Sequence, residues 1–97
     1  MGFEIQHEEQ GTKGSFYIEV EGERLGMMTY VWAGDDKIII DHTEVDDKLR
    51  GTGAGKQLVD AGADWARAKD IKILPLCPFA KRVMTGNREK YGDVLAG

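Results

Sequence analysis

Two stretches near the start of the chain, Phe3-Glu4-Ile5-Gln6-His7 and Phe16-Tyr17-Ile18-Glu19-Val20, place apolar residues at every second position. That period belongs to a strand with one face buried, so both predict strands. Residues 11–14, bounded by Gly11 and Gly14, form the turn between them. Glu21-Gly22-Glu23 then breaks the chain before a third run, residues 25–32, rich in Met, Thr, Tyr and Val. After Ala33-Gly34-Asp35-Asp36 comes residues 37–45, the strongest strand signal, whose three successive isoleucines favour burial on both faces.

The period then changes. Across residues 53–69, Leu58, Ala61, Trp65 and Ala68 recur at helical spacing, with Lys56, Asp60, Asp64 and Arg67 on another face. Asp60 lies four residues after Lys56 and Arg67 three after Asp64, both within reach on a helix. Gly62 costs a helix interior about 1 kcal/mol relative to alanine, which points to close packing on the sheet. Residues 71–74 are a short strand stopped by Pro75, and Pro78 opens a second helix over residues 79–85, ended by Gly86 and Asn87. The tail is polar apart from Tyr91, Val94 and Leu95. The predicted order is ββββ-α-β-α, an α+β chain in which a meander is followed by a crossover helix. The ninety-seven residues form one domain, 1–97.

Composition adds bounds. No apolar stretch approaches the length of a membrane span, and the N-terminus lacks the basic and apolar regions of a secretory signal. Met1-Gly2 begins like a myristoylation site, but Gln6 stands where Ser or Thr is required. The single cysteine, Cys77, cannot close an internal disulfide and fits a reducing, cytoplasmic setting. Residues 1–47 hold twelve acidic and three basic side chains, residues 48–97 five acidic and ten basic. The basic half suits an anionic ligand, and the acidic half disfavours nucleic acid and suits a cationic substrate; two differently charged solvated faces would give the same tally. Two histidines and one cysteine in unrelated segments give no metal site.

The segment Arg50-Gly51-Thr52-Gly53-Ala54-Gly55-Lys56 lies between a buried strand and a helix. Glycines there let the backbone approach a ligand, and unpaired amides at a helix start suit a pyrophosphate, with Lys56 and Arg50 adding charge. The spacing fits neither a Walker loop nor a dinucleotide-binding βαβ unit. A glycine-rich helix start without a ligand is the plain alternative. Cys77 precedes a Pro-initiated helix, whose dipole favours a thiolate; it could be a nucleophile, a pocket wall or an inert buried thiol. His42 has the ordinary pKa of a general base at neutral pH, or is a strand histidine bonded within the sheet.

Arg50-x-x-Gly53-x-Gly55 resembles the pyrophosphate motif of the GCN5-related N-acetyltransferases, in the place where that fold puts it. Asp41-His42-Thr43-Glu44-Val45 and Leu74-Pro75-Leu76-Cys77-Pro78-Phe79-Ala80-Lys81 extend the resemblance to very small, stand-alone members, over roughly residues 15–91. The resemblance implies a mixed sheet whose fourth and fifth strands splay apart, with acetyl-coenzyme A in the gap. It assigns the pyrophosphate to Arg50, Gly51, Thr52, Gly53, Ala54, Gly55 and Lys56, and the pantetheine arm to the strand edge at Glu44 and Val45. Phe79 is placed in the cofactor site from the second helix, where Lys81 and Arg82 could reach the phosphates or ribose or could equally form a solvated helix face, and Asp41, His42 and Cys77 come within reach of the acetyl group. Tyr91 matches a tyrosine that larger members use as general acid, though not in its surroundings. The implied activity is acetyl transfer to a primary amine, a protein lysine or N-terminus included, by way of Cys77 or by direct attack. A coenzyme A-binding module with little turnover is the other class. No acceptor helices are visible, and the chain is expected as a monomer or weak dimer.

Overall fold

The computed structural model describes residues 3–96; Met1 and Gly2, read above against a myristoylation motif, lie outside them, as does Gly97. Four strands form an antiparallel meander: β1 (Gln6–Gln10), β2 (Lys13–Val20), β3 (Glu23–Trp32) and β4 (Lys37–Val45). A 3-10 turn (Asp47–Leu49) leads to α1 (Ala54–Lys69), which crosses over to β5 (Lys72–Pro75). Then come α2 (Pro78–Thr85) and α3 (Arg88–Tyr91). The sheet order is β1-β2-β3-β4-β5, with β5 parallel to β4 and every other pair antiparallel. This is the expected α+β order with a mixed sheet.

Three elements differ from the pattern-based expectation. The first strand sits at Gln6–Gln10 rather than residues 3–7. Phe3 and Ile5 carry the alternation but pack half-buried against the core, and ladder pairing begins at Gln6 opposite Tyr17. On α1 the buried face is Leu58, Val59, Gly62, Ala63 and Ala66, so Ala61 and Trp65 lie at its margin and Ala68 is exposed. Of the two ion pairs expected on α1, Asp64–Arg67 forms at 2.9 Å, whereas Asp60 bonds Lys90 at 3.1 Å and the Tyr91 hydroxyl. The tail is also more structured than its polarity suggested. Tyr91 and Val94 are 1% exposed, and Ile73 N donates to Val94 O while Ala96 N donates to Ile73 O, so the C-terminus covers the outer edge of β5.

Gly62 allows α1 to touch the sheet. A Cβ there would lie 2.8 Å from Met28 Cε and 3.7 Å from Phe16, both in the core. Ile38, Ile40 and Leu58, at 0% exposure, lie in the same core, and each buried side chain contributes about 1.5–3 kcal/mol. The three helices share one face: Trp65 of α1 packs edge-on to Phe16 and Trp32, Phe79 of α2 meets Gly55, and Tyr91 of α3 bonds Asp60. Among the described residues no helix is long and apolar enough to cross a membrane.

The β2–β3 hairpin closes on Glu21 (φ 52°) and Gly22 (φ 81°), a two-residue loop with positive φ at both positions, as a type I′ turn requires. Glutamate lacks the local hydrogen bonding that lets asparagine tolerate this region. Glu21→Asn is therefore expected to raise stability by about 0.5–1 kcal/mol, read as a higher Tm in thermal unfolding.

A second network fixes β1 over the end of the sheet. The His7 ring stacks on Phe16 at 4.1 Å and 8°, with Trp65 edge-on at 4.9 Å. Tyr30 donates to Glu9 Oε2 at 2.7 Å, as does Trp32 Nε1, which leaves the Tyr30 oxygen to accept from His7 Nε2 at 2.6 Å. Gly14 leaves room for the Tyr30 ring, whose atoms a Cβ there would meet at 2.4 Å. Burial holds the His7 pKa below its ordinary 6.5 against the pull of Glu9, with Lys69 also lowering it. The hydrogen bonds from Tyr30 and Trp32 hold Glu9 below its ordinary 4.5. Both folded values are depressed, so both contributions are complete above the unfolded values and are lost as pH falls through the folded ones. Tm is expected to decline below pH 6.5 and again below 4.5, and His7→Phe to remove the first decline. Thermal melts across that range check it.

Candidate functional site: a cleft between splayed strands

Strands β4 and β5 pair only from Lys37/Lys72 to Ile40/Pro75. Beyond this, Leu76 N and Cys77 N both donate to Ile40 O at 3.0 Å, and the chain turns into α2. Among the described residues, the rest of β4, from Asp41 to Val45, therefore has no strand paired to it on that side. The gap opens into a cleft of about 460 Å³ walled by β4, the loop before α1, and α2.

A β-bulge decides which β4 side chains face it. Thr29 pairs with His42 but Tyr30 with Ile40, leaving Asp41 as the extra residue. Without it, His42 and Glu44 would continue the inward face of Ile38 and Ile40. With it, Thr43 and Val45 turn inward: Thr43 pairs with the fully buried Met28, and both line the cleft. His42 and Glu44 turn to the uncovered face, where their side chains are 60% and 71% exposed and 3.4 Å apart. Asp41 accepts a 2.6 Å bond from Thr29 Oγ1 on that face.

The loop is shaped by Gly51 (φ 79°) and Gly53 (φ 81°), left-handed positions with nothing within 4 Å of where a Cβ would stand. Gly53 is the N-cap of α1 and supplies no capping side chain, and the first turn has no acidic residue. Most helices begin with a capping oxygen and favour acidic neighbours. This one instead presents amides of its first turn, with exposed Lys56, to the cleft, an arrangement suited to an anion. Arg50 also lines the cleft and pairs with Asp47 at 2.7 Å. Gly55 serves the wall: a Cβ there would lie 2.7 Å from the Phe79 ring.

Of the residues named from sequence for the cofactor, the cleft gathers Val45, Arg50, Gly51, Gly53, Ala54, Gly55, Lys56 and Phe79. Four are not among its lining residues, Arg82, exposed on α2, being one. Glu44 is on the other face. The Thr52 hydroxyl donates to Leu49 O and accepts from Ala54 N at 3.3 Å, so it takes the first amide of α1. Lys81 is exposed on α2, whose cleft-facing positions are Phe79 and Val83. Thr43, Leu49 and Val83 line the cleft without having been singled out. Val83 was legible as the position one turn after Phe79, whereas Thr43 depended on the bulge.

Cys77 is 5% exposed and is not among the residues that line the cleft, though Thr43 and Phe79, which do line it, lie beside it. It is the N-cap residue of α2, with Pro78 at N1. Burial pushes its pKa up, but Thr43 and the amides of Ala80 and Phe79 outweigh that and leave the thiol below its ordinary 9.0. Cys77 and His42 are on opposite faces of β4, so no Cys–His pair forms. Tyr91 is committed elsewhere: its hydroxyl bonds Asp60, and burial together with that carboxylate raises its pKa.

A family model described as GCN5-related N-acetyl-transferase matches residues 15–94. The chain is 28% identical over 87 residues to Protein NATD1 of Gallus gallus, covering 89% of this chain and 79% of that protein. Its fold superposes with a TM-score of 0.74 on a GCN5-like protein of Staphylococcus aureus solved in solution, at 38% identity over 98% of this chain and 89% of the other. A Bacillus anthracis protein crystallised with acetyl coenzyme A shares the fold at a TM-score of 0.56 and 19% identity, covering 68% of this chain and 39% of its own.

Proposed function

Because the chain belongs to the GCN5-related N-acetyltransferase family, we propose that its cleft binds acetyl-CoA and that it transfers the acetyl group to a primary amine. The observation that carries the reading is the start of α1, where the N-cap glycine brings no side chain and the first turn no acid, opening with Lys56 into a cleft of about 460 Å³. The amides from Gly51 to Lys56 hold the pyrophosphate, and the free edge of β4 at Glu44 and Val45 pairs with the pantetheine arm through its backbone. Thr43 lines the cleft, and in this reading the thioester passes it to reach Cys77.

In this reading the Cys77 thiolate attacks the acetyl carbonyl, forming a carbon–sulfur bond as the bond to the coenzyme sulfur breaks and free CoA departs. A neutral amine then attacks the cysteine thioester, releases the Cys77 thiolate and gives up a proton. His42 stands across β4 from Cys77, so it serves as base only for an amine that attacks acetyl-CoA directly from the uncovered face, while the covalent route gives the proton to water. Among the described residues no helix covers that face, which suits a large acceptor such as a protein lysine or N-terminus. A second reading, coenzyme A binding with little turnover, is favoured by the separation of His42 from Cys77 across β4. Incubation of the protein with acetyl-CoA and a lysine-containing peptide, followed by intact mass of both, separates them. An acetyl group on the peptide, formed catalytically, supports transfer; binding without any acetylated peptide favours the second reading.

A further inference from the structure

The uncovered face of the sheet carries a second cavity, of about 450 Å³, that the transfer scheme leaves unused. Its floor follows one cross-strand row: Glu8 pairs with Ser15, Ser15 with Thr29, and Thr29 with His42, beside the extra residue Asp41. Ser15 and Thr29 are short, whereas Lys13, Arg24 and Met27 around them are long, so the row is sunk into a trough. The trough ends at Asp41, the first β4 residue past the last β4–β5 pair, where the gap between those strands opens.

Ser15 is 7% exposed and lines the trough, yet among the described residues its hydroxyl has no hydrogen-bond partner. Hydroxyls at that depth are normally bonded, and a polar group lying in the trough would satisfy this one. Most of the surrounding charge is already spent. Glu8 and Arg24 pair at 2.9 Å, with the guanidinium over the Tyr17 ring at 3.8 Å, and Glu9 accepts from Tyr30 and Trp32. Two exposed groups of opposite sign remain: Asp41, whose carboxylate accepts from Thr29 Oγ1, and Lys13, which has no ion pair among the described residues. They stand on β4 and β2, two strand spacings or about 10 Å apart. An extended chain covers that distance in about three residues.

We propose that the trough holds the acceptor as a short peptide segment. Its free amino group lies on Asp41 at the mouth of the gap, its backbone over Ser15, and a carboxylate about three residues on against Lys13. The use made of the amine rests on the acyl-transfer reading, and the binding does not. The amine then stands on the face from which direct attack on acetyl-CoA, with His42 as base, proceeds.

Triglycine, with an amine and a carboxylate three residues apart, is the probe, titrated into isotope-labelled protein without acetyl-CoA. It is expected to shift the amide resonances of Ser15, Thr29 and Asp41, and to bind about two- to fivefold more tightly than triglycine amide. Lys13→Met should abolish that preference, and Asp41→Asn should weaken both probes by a similar factor. Both positions are exposed, so the variants should fold. Equal affinity of acid and amide for the parent protein, or resonance shifts absent from the trough, overturns the proposal. Acetyl transfer to a lysine peptide with a silent trough would remove this site and leave the functional reading. Trough binding in a protein whose Tm acetyl-CoA does not move would do the reverse.

Discussion

Cys77→Ala is expected to reduce acetyl transfer by about a thousandfold or more while leaving the acetyl-CoA-induced rise in Tm intact. The two readouts part because Cys77 is not among the residues that line the cleft, whereas the groups that hold the coenzyme are backbone amides of the loop and α1. The substitution removes a buried sulfur and should cost the fold only about 1 kcal/mol, so the variant remains testable. Intact mass after exposure to acetyl-CoA should show one acetyl group on the parent protein and none on the variant. Full transfer by Cys77→Ala would refute the covalent route and leave direct attack by the amine.

The largest stability effect is expected at Gly62. The helix and sheet are so close there that Met28 Cε would be 2.8 Å and Phe16 3.7 Å from a Cβ, and Met28 is 0% exposed. Gly62→Leu must therefore lift α1 from β2 and β3 or distort the core around Phe16. Overpacking of this kind costs about 3 kcal/mol, a large fraction of the 5–15 kcal/mol typical of a domain. At this length Tm should fall by roughly 12–24 °C. A Gly62→Leu protein melting within a few degrees of the parent would show that the helix–sheet contact is less tight than the geometry states.

The order of elements was legible because period two and period 3.6 are each sustained, and because glycines mark the turns. The splayed cleft followed from the family resemblance together with the stop at Pro75. What escaped the sequence depended on pairing. The period-two signal at Phe3 and Ile5 came from packing without a ladder, so the first strand was placed three residues early. The tail looked polar because only Tyr91, Val94 and Leu95 anchor it, yet Val94 and Leu95 run beside β5 and Tyr91 is buried against Asp60 of α1. Most consequential was the extra residue at Asp41. Alternation alone assigns His42 and Glu44 to the cleft, and one bulge exchanges them for Thr43 and Val45. Nothing in Asp41-His42-Thr43 announces a bulge, so the inward turn of Thr43 could be found only from the register.

The central claim is that the start of α1 and the loop before it bind the coenzyme, and thermal unfolding with and without excess acetyl-CoA tests it most directly. At a hundred times Kd the ligand should stabilise the fold by about 2.7 kcal/mol and raise Tm by roughly 10 °C or more. An unchanged Tm at saturating acetyl-CoA would contradict the claim and leave the glycine loop a structural turn.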